Sequence, residues 1–288
     1  MSKDLDLLKQ LRDITGAGIL DCKKYLERAE NNLDEAVKLM RSEEGIKADK
    51  KSSRVAAEGG VYFFKSDARG LLIEINSETD FVARSDDFKN FVDSICKIII
   101  KSTYLTYEDL ANSSDKNILD EIELTRKNAI TKLGENIQIR RYVMKISNQD
   151  FNIGYTHNDK IGALVVLKNE NITLGKDICM QIVASCPLGL DEQSIDKETL
   201  NAEKEIYKKE LEKLDKKDDL KRNILEGKVK KFINENTLVN QPFIKDNTTT
   251  LKKIIKDNDI IEYVRFQLGE GIEKKNDNFA EEVYSQIK

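Results

Sequence analysis

Two carboxylates and an aromatic ring lie close together in the segment Glu78-Thr-Asp-Phe81. Glu78 and Asp80 could serve as paired carboxylates in acid–base chemistry, but side chains two residues apart in an extended corner tend to point apart. His157 could serve as a general base, yet the sequence shows no Ser or Cys nucleophile that would partner it. A hydrolase that uses Glu78, Asp80 and His157 is therefore the less favoured hypothesis, and such a protein would turn over a small ester or phosphate by itself.

Phe81 is a large aromatic side chain at a polar corner between two apolar segments. Residues 70–75 have the apolar, branched composition of a strand, and residues 88–99 have the spacing of an amphipathic helix. Ser85 is the predicted N-cap of that helix, and Thr79 could cap a short turn before it. Phe81 belongs to neither apolar pattern. It therefore either folds back onto the core of the chain or enters a pocket on a partner.

A second copy of the same strand-to-helix pattern bears on this choice. Gly70-Leu-Leu-Ile-Glu-Ile-Asn76 is paralleled by Gly162-Ala-Leu-Val-Val-Leu-Lys168, which indicates an internal duplication. The second copy continues through Asn169-Glu-Asn-Ile-Thr-Leu174 and has no Asp-Phe pair. The corner at 79–84 is thus predicted to be an addition that the scaffold does not require, which favours the interpretation of Phe81 as an anchor on a partner.

The composition argues against several classes of function. Among 288 residues, 48 are basic and 52 acidic, so the net charge of −4 gives no electrostatic basis for binding nucleic acid. No run approaches 18 apolar residues and the first residues lack a signal-peptide core, so we expect a cytoplasmic protein with no membrane partner. The sequence contains no Gly-x-x-x-x-Gly-Lys-Ser/Thr loop, so the chain is not expected to hold nucleotide phosphates itself.

Cysteine and histidine usage gives no sign of a metal or cofactor site. The chain has one histidine and no Cys-x-x-Cys pair, so we expect no metal and no cofactor. The cysteines all lie in apolar helical patterns and are expected to be small buried thiols: Cys22, Cys96, Cys179 and Cys186.

The order of the apolar patterns predicts an α+β protein of several parts. Its core consists of two related α+β subdomains with antiparallel sheets, and a thin apolar seam predicts an inserted antiparallel helical hairpin. In the second subdomain we expect a helix at 248–256 and a strand at 260–268 that joins the second sheet. The predicted parts are a three-helix module similar in shape to ubiquitin-associated (UBA-like) domains at 1–46, a mobile or loosely packed linker at 47–58, a first α+β core subdomain at 59–147, a second at 148–196 and 237–275, the helical hairpin at 197–236, and a C-terminal helical module at 276–288.

Six sequence blocks follow one another along the chain: Leu11-Arg-Asp-Ile-Thr-Gly-Ala-Gly-Ile-Leu-Asp-Cys-Lys-Lys24, Thr79-Asp-Phe-Val-Ala-Arg84, Gly134-Glu-Asn-Ile-Gln-Ile-Arg-Arg141, Tyr155-Thr-His157 with Ile161-Gly-Ala-Leu-Val165, Gln241-Pro-Phe243, and Arg265-Phe-Gln-Leu-Gly-Glu-Gly-Ile-Glu-Lys274. Together these blocks resemble the bacterial elongation factor Ts family. The resemblance implies a translation elongation factor that is not an enzyme but a guanine-nucleotide exchange factor. Its implied partner is elongation factor Tu, in the GDP-bound and nucleotide-free states.

The resemblance also implies roles for individual residues. Asp80 and Phe81, flanked by Thr79 and Val82, would wedge between helices of the GTPase domain near its Mg²⁺ and phosphate site and promote GDP release. Glu78 receives no role. The other implied contacts lie on the first module and around the core: Arg12, Ile19 and Leu20 on the module, and Leu133, Gly134 and His157 on the core.

Two questions remain open at the level of sequence. A structural or adaptor protein could join partners through the helical hairpin and the first module, and it would tolerate Phe81→Ala without loss of binding. A homodimer could form through the core or through the hairpin, because an apolar seam suits a monomer and a dimer equally well.

Overall fold

The structure is a computed structural model that describes residues 2–15, 18–147, 151–214, 217–256 and 258–272. The chain divides into two compact units. The first comprises the described residues within Met1–Val61, Ile73–Tyr142 and Gln267–Lys288, and the second comprises those within Tyr62–Leu72 and Val143–Phe266. Helices and small sheets occur together along the chain, so the predicted α+β class is confirmed. In the part of the chain that the structure describes, no helix combines the length and the apolar character needed to cross a membrane.

Three helices form the first module, as predicted: α1 (Ser2–Thr15), α2 (Ile19–Arg28) and α3 (Leu33–Lys51). Each helix contributes to a small core, in which Leu11, Tyr25 and Met40 are almost fully buried. The side chain of Asn32 accepts a hydrogen bond from the backbone N–H of Glu35 at 3.2 Å, which caps the start of α3.

The third helix extends into the segment predicted to be a linker at 47–58, because α3 ends only at Lys51. The amide of Asn136 donates hydrogen bonds to the carbonyl oxygens of Ser52, at 3.2 Å, and Arg54, at 2.7 Å. The Lys51 ammonium group donates to the carbonyl of Gly134 at 2.8 Å. This segment is therefore held by residues of the first unit, in contrast to the loosely packed linker predicted from its charged composition.

Three strands form the first sheet, in the order β1 (Glu58–Ser66), β2 (Arg69–Ser77) and β3 (Ile137–Ile146). The central strand β2 is buried along almost its whole length, as its apolar sequence requires. Gly59 has a φ of +120°, and a Cβ at this position would lie 2.2 Å from the carbonyl oxygen of Ile75. Only glycine permits this close approach of the backbones.

Four helices lie between β2 and β3: α4 (Asp80–Arg84), α5 (Asp86–Ile99), α6 (Tyr107–Ala111) and α7 (Lys116–Leu133). The helix α5 buries the predicted apolar stripe, which includes Phe88, Ile95 and Ile99. The helix α6 was not predicted, although its start carries a capping box formed by Thr106 and Asp109.

The second unit repeats the strand–strand–helix order. The strands β4 (Phe151–His157) and β5 (Ile161–Leu167) pair antiparallel and are followed by α8 (Ile172–Ser185). The connection from β5 to α8 at 168–171 is short, whereas the connection from β2 to α5 contains the additional helix α4. The observed elements thus agree with the prediction that the corner at 79–84 is an addition to a repeated pattern.

The helical hairpin is confirmed: α9 (Lys197–Glu212) is followed by α10 (Asp218–Asn236). Lys228 links the two helices, because its ammonium group pairs with Glu210 and lies 5.2 Å from the ring centre of Tyr207.

The chain returns to the second sheet through β6 (Pro242–Phe243), β7 (Asp246–Thr250), α11 (Leu251–Ile255) and β8 (Ile260–Gln267). As predicted, β8 joins the second sheet, whose order is β4-β5-β8. The helix predicted at 248–256 is wrong in its first part, because residues 248–250 are three threonines of strand β7, in which Thr250 pairs with Pro242 of β6. The C-terminal helical module predicted at 276–288 lies outside the described residues.

The prediction of four buried thiols holds for three of them. Cys22, Cys96 and Cys179 are buried, whereas Cys186 is exposed. Cys186 follows the last turn of α8 with a left-handed φ of +45°, so it no longer continues the apolar face of that helix. Burial raises the pKa of the Cys96 and Cys179 thiols to about 12, so both remain protonated near neutral pH.

Candidate functional site

The corner between β2 and α5 is a short helical turn whose shape is set by caps. Thr79 is the N-cap of α4, and its Oγ1 accepts a hydrogen bond from the N–H of Val82 at 3.3 Å. Ser85 closes the turn, because its hydroxyl donates to the carbonyl of Val82 at 2.7 Å and accepts from the N–H of Phe88 at 3.2 Å. None of the residues of α4 is buried, so these caps rather than core packing define the turn.

Phe81 lies on this turn with 84% of its surface exposed. Phe88 and Phe91, in the following helix, are buried in the core. The alternative in which Phe81 folds back onto the chain's own core therefore does not describe the structure. An exposed aromatic ring of this size is the kind of side chain that inserts into a pocket on a partner.

The charged residues of the corner are already paired within the chain. Asp80, in the first turn of α4, forms an ion pair with Arg84 at 3.0 Å. Glu78 accepts a hydrogen bond from the N–H of Asn136 at 2.6 Å and lies 3.5 Å from the guanidinium of Arg54. The two carboxylates thus have different structural partners. This arrangement does not favour a role for them as a catalytic acid–base pair.

The turn that follows α7 holds the corner from a distant part of the sequence. Glu135 accepts two hydrogen bonds from Thr79, one from the backbone N–H at 2.9 Å and one from the hydroxyl at 2.6 Å. Together with the hydrogen bond between Glu78 and Asn136, this contact joins residues 78–79 to residues 135–136. Sequence reasoning missed Glu135 and gave Glu78 no role. The one available signal was that Glu135 lies inside a block that resembles the family.

Leu133 and Gly134, two of the implied core contacts, belong to this same turn. Leu133 is the last residue of α7 and is half-buried, and Gly134 is exposed with a φ of +80° as the C-cap. A Cβ on Gly134 would meet no atom of this chain within 4 Å. Through Glu135, the structure brings Leu133 and Gly134 next to the corner that carries Phe81.

The implied contacts of the first module lie on α1 and α2. Arg12 is exposed in the last turn of α1. Ile19 and Leu20 begin α2 and are 52% and 83% exposed, although the neighbouring Cys22 is fully buried. These two apolar side chains therefore do not serve the core of the module. They form an exposed apolar pair at the start of α2.

His157 is the last residue of β4 and belongs to the second unit. It is exposed, its Nδ1 lies 3.0 Å from the hydroxyl of Tyr155, and its Nε2 lies 3.4 Å from the amide of Asn158. These neighbours orient the ring on the surface of the sheet and do not form the nucleophile–base arrangement that hydrolysis would need.

Comparison with known proteins gives one consistent result. A family model described as Elongation factor TS matches residues 78–270, which include the corner, strand β3 of the first sheet and all three strands of the second sheet. A protein of Methylococcus capsulatus named Elongation factor Ts is 40% identical over 293 positions, covering 100% of this chain and 99% of its own length. Proteins with the same name from Alkalilimnicola ehrlichii (40% identical; 100% and 99% covered) and Clostridium acetobutylicum (39% identical; 97% and 97% covered) are also similar to the chain.

Proposed function

Because the chain belongs to the elongation factor Ts family, and so is a translation elongation factor that exchanges nucleotide on elongation factor Tu, we propose that it promotes GDP release by inserting Phe81 into that partner. The observation that carries the proposal is the position of Phe81. Its ring is 84% exposed on a capped turn that buries none of its own residues. The ring does not pack into the core of this chain, so we expect a pocket on the partner to bury it.

The energetic scale of exchange suits such an anchor. A GTPase holds GDP through phosphate contacts and a Mg²⁺ ion, whose position governs the local electrostatics. By linkage, a partner that favours the nucleotide-free state weakens the binding of GDP to the GTPase. GDP weakens the binding of that partner by the same factor. Accelerating release about a thousandfold requires roughly 4 kcal/mol of barrier lowering. Truncation of one buried aromatic anchor costs about 2–4 kcal/mol, so Phe81 and one carboxylate can supply most of this effect.

Asp80 is the carboxylate that lies beside this anchor. Its ion pair with Arg84 has both side chains substantially exposed, at 41% and 79%. Exposed ion pairs of this kind contribute little stability, about 0–1 kcal/mol. Asp80 can therefore exchange Arg84 for a polar group of the partner at low cost. We assign Asp80 as a polar contact that helps to displace a helix near the Mg²⁺ and phosphate site, with Thr79 and Val82 on either side of the Asp80-Phe81 pair.

Further contacts would fix the partner around this wedge. We assign the exposed apolar pair Ile19 and Leu20, with the cation Arg12, to a second surface of the GTPase domain. Leu133 and Gly134 lie beside the corner and would contact the partner together with it. His157 would contribute from the second unit. The proposal covers binding to elongation factor Tu in its GDP-bound and nucleotide-free states, in the cytoplasm, where translation takes place.

Release of fluorescent GDP from elongation factor Tu tests the proposal. We expect the wild-type chain to accelerate release and Phe81→Ala to lower this acceleration by about tenfold or more, because the anchor is lost. The control is Ile206→Ala, which removes an apolar side chain that is 50% exposed on the hairpin helix α9. Equal acceleration of GDP release by wild type and Phe81→Ala would contradict the role of Phe81 as a wedge. Loss with Ile206→Ala alone would instead favour an adaptor that works through the hairpin.

A further inference from the structure

We propose that Glu135 is a positioning residue for the wedge: it fixes Thr79 and, through Thr79, the turn that presents Phe81. The inference rests on the function proposed above. It concerns how this chain holds the wedge in the active orientation, and it adds a residue to which neither sequence reasoning nor the family resemblance gave a role.

The chemical groups involved determine which one donates and which one accepts in each hydrogen bond. A carboxylate accepts hydrogen bonds and cannot donate them. The hydroxyl of Thr79 has one hydrogen, which it donates to Glu135 at 2.6 Å. The lone pairs of the same hydroxyl oxygen are then directed to the N–H of Val82, at 3.3 Å. Glu135 thus orients the hydroxyl that caps α4, while its second oxygen holds the backbone N–H of Thr79 at 2.9 Å.

Thr79 is consequently held at three atoms. Besides the two contacts with Glu135, its carbonyl oxygen accepts a hydrogen bond from the hydroxyl of Ser77 at 2.9 Å. The residues that follow have no such support from packing, because α4 spans five residues and buries none of them. A single helical turn is marginal without external contacts. The orientation of Phe81, two residues beyond Thr79, therefore depends on how firmly Thr79 is held.

The turn that contains Glu135 does not itself depend on this contact. Asn136, the next residue, is buried and binds the carbonyl oxygens of Ser52 and Arg54. The N–H of Asn136 also donates to Glu78. These bonds remain when the side chain of Glu135 is shortened. Its removal should leave the fold intact and loosen only the corner.

The test compares Glu135→Ala in two backgrounds by release of fluorescent GDP from elongation factor Tu. In the wild-type background we expect the maximal release rate, at saturating exchange factor, to fall about fivefold to tenfold, which is the size of the net contribution of one hydrogen bond. In the Phe81→Ala background we expect less than about a twofold further loss, because the group that Glu135 positions is already absent. Glu121→Ala removes an exposed carboxylate from α7, the helix that precedes the turn of Glu135; it serves as the matched control and should match wild type.

Two further measurements keep the result interpretable. Glu135→Gln retains the size of the side chain but loses one acceptor, so we expect an intermediate rate; its amide ¹⁵N–¹H spectrum should show a shifted Thr79 signal and otherwise match wild type. An equal loss in both backgrounds, or wild-type rates for Glu135→Ala, would overturn the role of Glu135. If Phe81→Ala itself exchanges GDP like wild type, the proposed wedge fails, whatever Glu135 does.

Discussion

In the first module, the carboxylate of Glu43 on α3 connects this helix to α2. Arg28 donates to it with both terminal nitrogens, at 2.9 and 2.5 Å, and the hydroxyl of Tyr25 donates at 3.0 Å. These hydrogen bonds, first from Arg28 and then from Tyr25, lower the pKa of Glu43 from 4.5 to about 2. The hydrogen bond and the charge of Glu43 in turn raise the pKa of Arg28 above its ordinary value. Both shifts favour the charged forms in the folded module.

We expect the carboxyl carbon of Glu43 to titrate with a midpoint at about 2 in ¹³C NMR spectra of the full chain. Because the pKa of Glu43 is lower in the folded than in the unfolded state, its stabilisation of the module is present above pH 4.5 and is lost as the pH falls through about 2. Arg28→Gln should move the midpoint toward 4.5. Glu43→Gln lacks this carboxyl group, so the signal missing from its spectrum is that of Glu43. A wild-type midpoint near 4.5 would contradict the role of Arg28.

At the scale of elements, Glu74 joins the central strand of the first sheet to its neighbour β3. The residue has no exposed surface and accepts hydrogen bonds from Arg140 at 2.8 Å and Arg141 at 2.7 Å. It also accepts one from the N–H of Gly269 at 2.8 Å, which ties the turn after β8 to the same carboxylate. A buried charge with this number of donors is well satisfied.

Glu74→Gln should lower the urea midpoint of unfolding, by the equivalent of about 2–4 kcal/mol, because Arg140 and Arg141 lose their buried anionic partner. Arg141 keeps its ion pair with Glu270 at 3.0 Å. Glu262→Gln is the matched control: Glu262 pairs with Lys145 at 2.5 Å but remains 44% exposed, so its loss should cost less than about 1 kcal/mol. Far-UV circular dichroism of the full chain measures both midpoints. Equal midpoints for the two variants would show that burial of Glu74 has no special importance.

Element prediction from this sequence works where the deciding contacts are local. The caps at Thr79 and Ser85 could be read directly, since each bonds an N–H three residues later. The apolar stripe of α5 was likewise visible as a spacing. The prediction of a helix at 248–256 is wrong in its first part because residues 248–250 belong to β7, which pairs with β6, and no helical periodicity reveals this contact.

At the scale of the whole molecule, the missing information concerns contacts between distant segments. Thr79 and Glu135 are 56 residues apart, and Asn136 and Ser52 are 84 apart. Such pairs depend on which strands become neighbours and in what register, and single-sequence periodicity does not determine this. The strand and helix patterns therefore placed Asp80 and Phe81 at a corner between β2 and α5, but the residue that holds the corner became visible only with the fold.

The exposure of Phe81 has a practical consequence, because the chain contains no tryptophan. Phe81→Trp would place a single indole on the tip of the corner without entering any core. Its fluorescence should be that of a hydrated indole in the free chain and should shift to shorter wavelengths when elongation factor Tu encloses it. Leu105→Trp, at a position 45% exposed, should keep its emission when the partner is added, whereas an unchanged spectrum for Phe81→Trp would contradict enclosure. The corner would then act as a built-in optical reporter of docking.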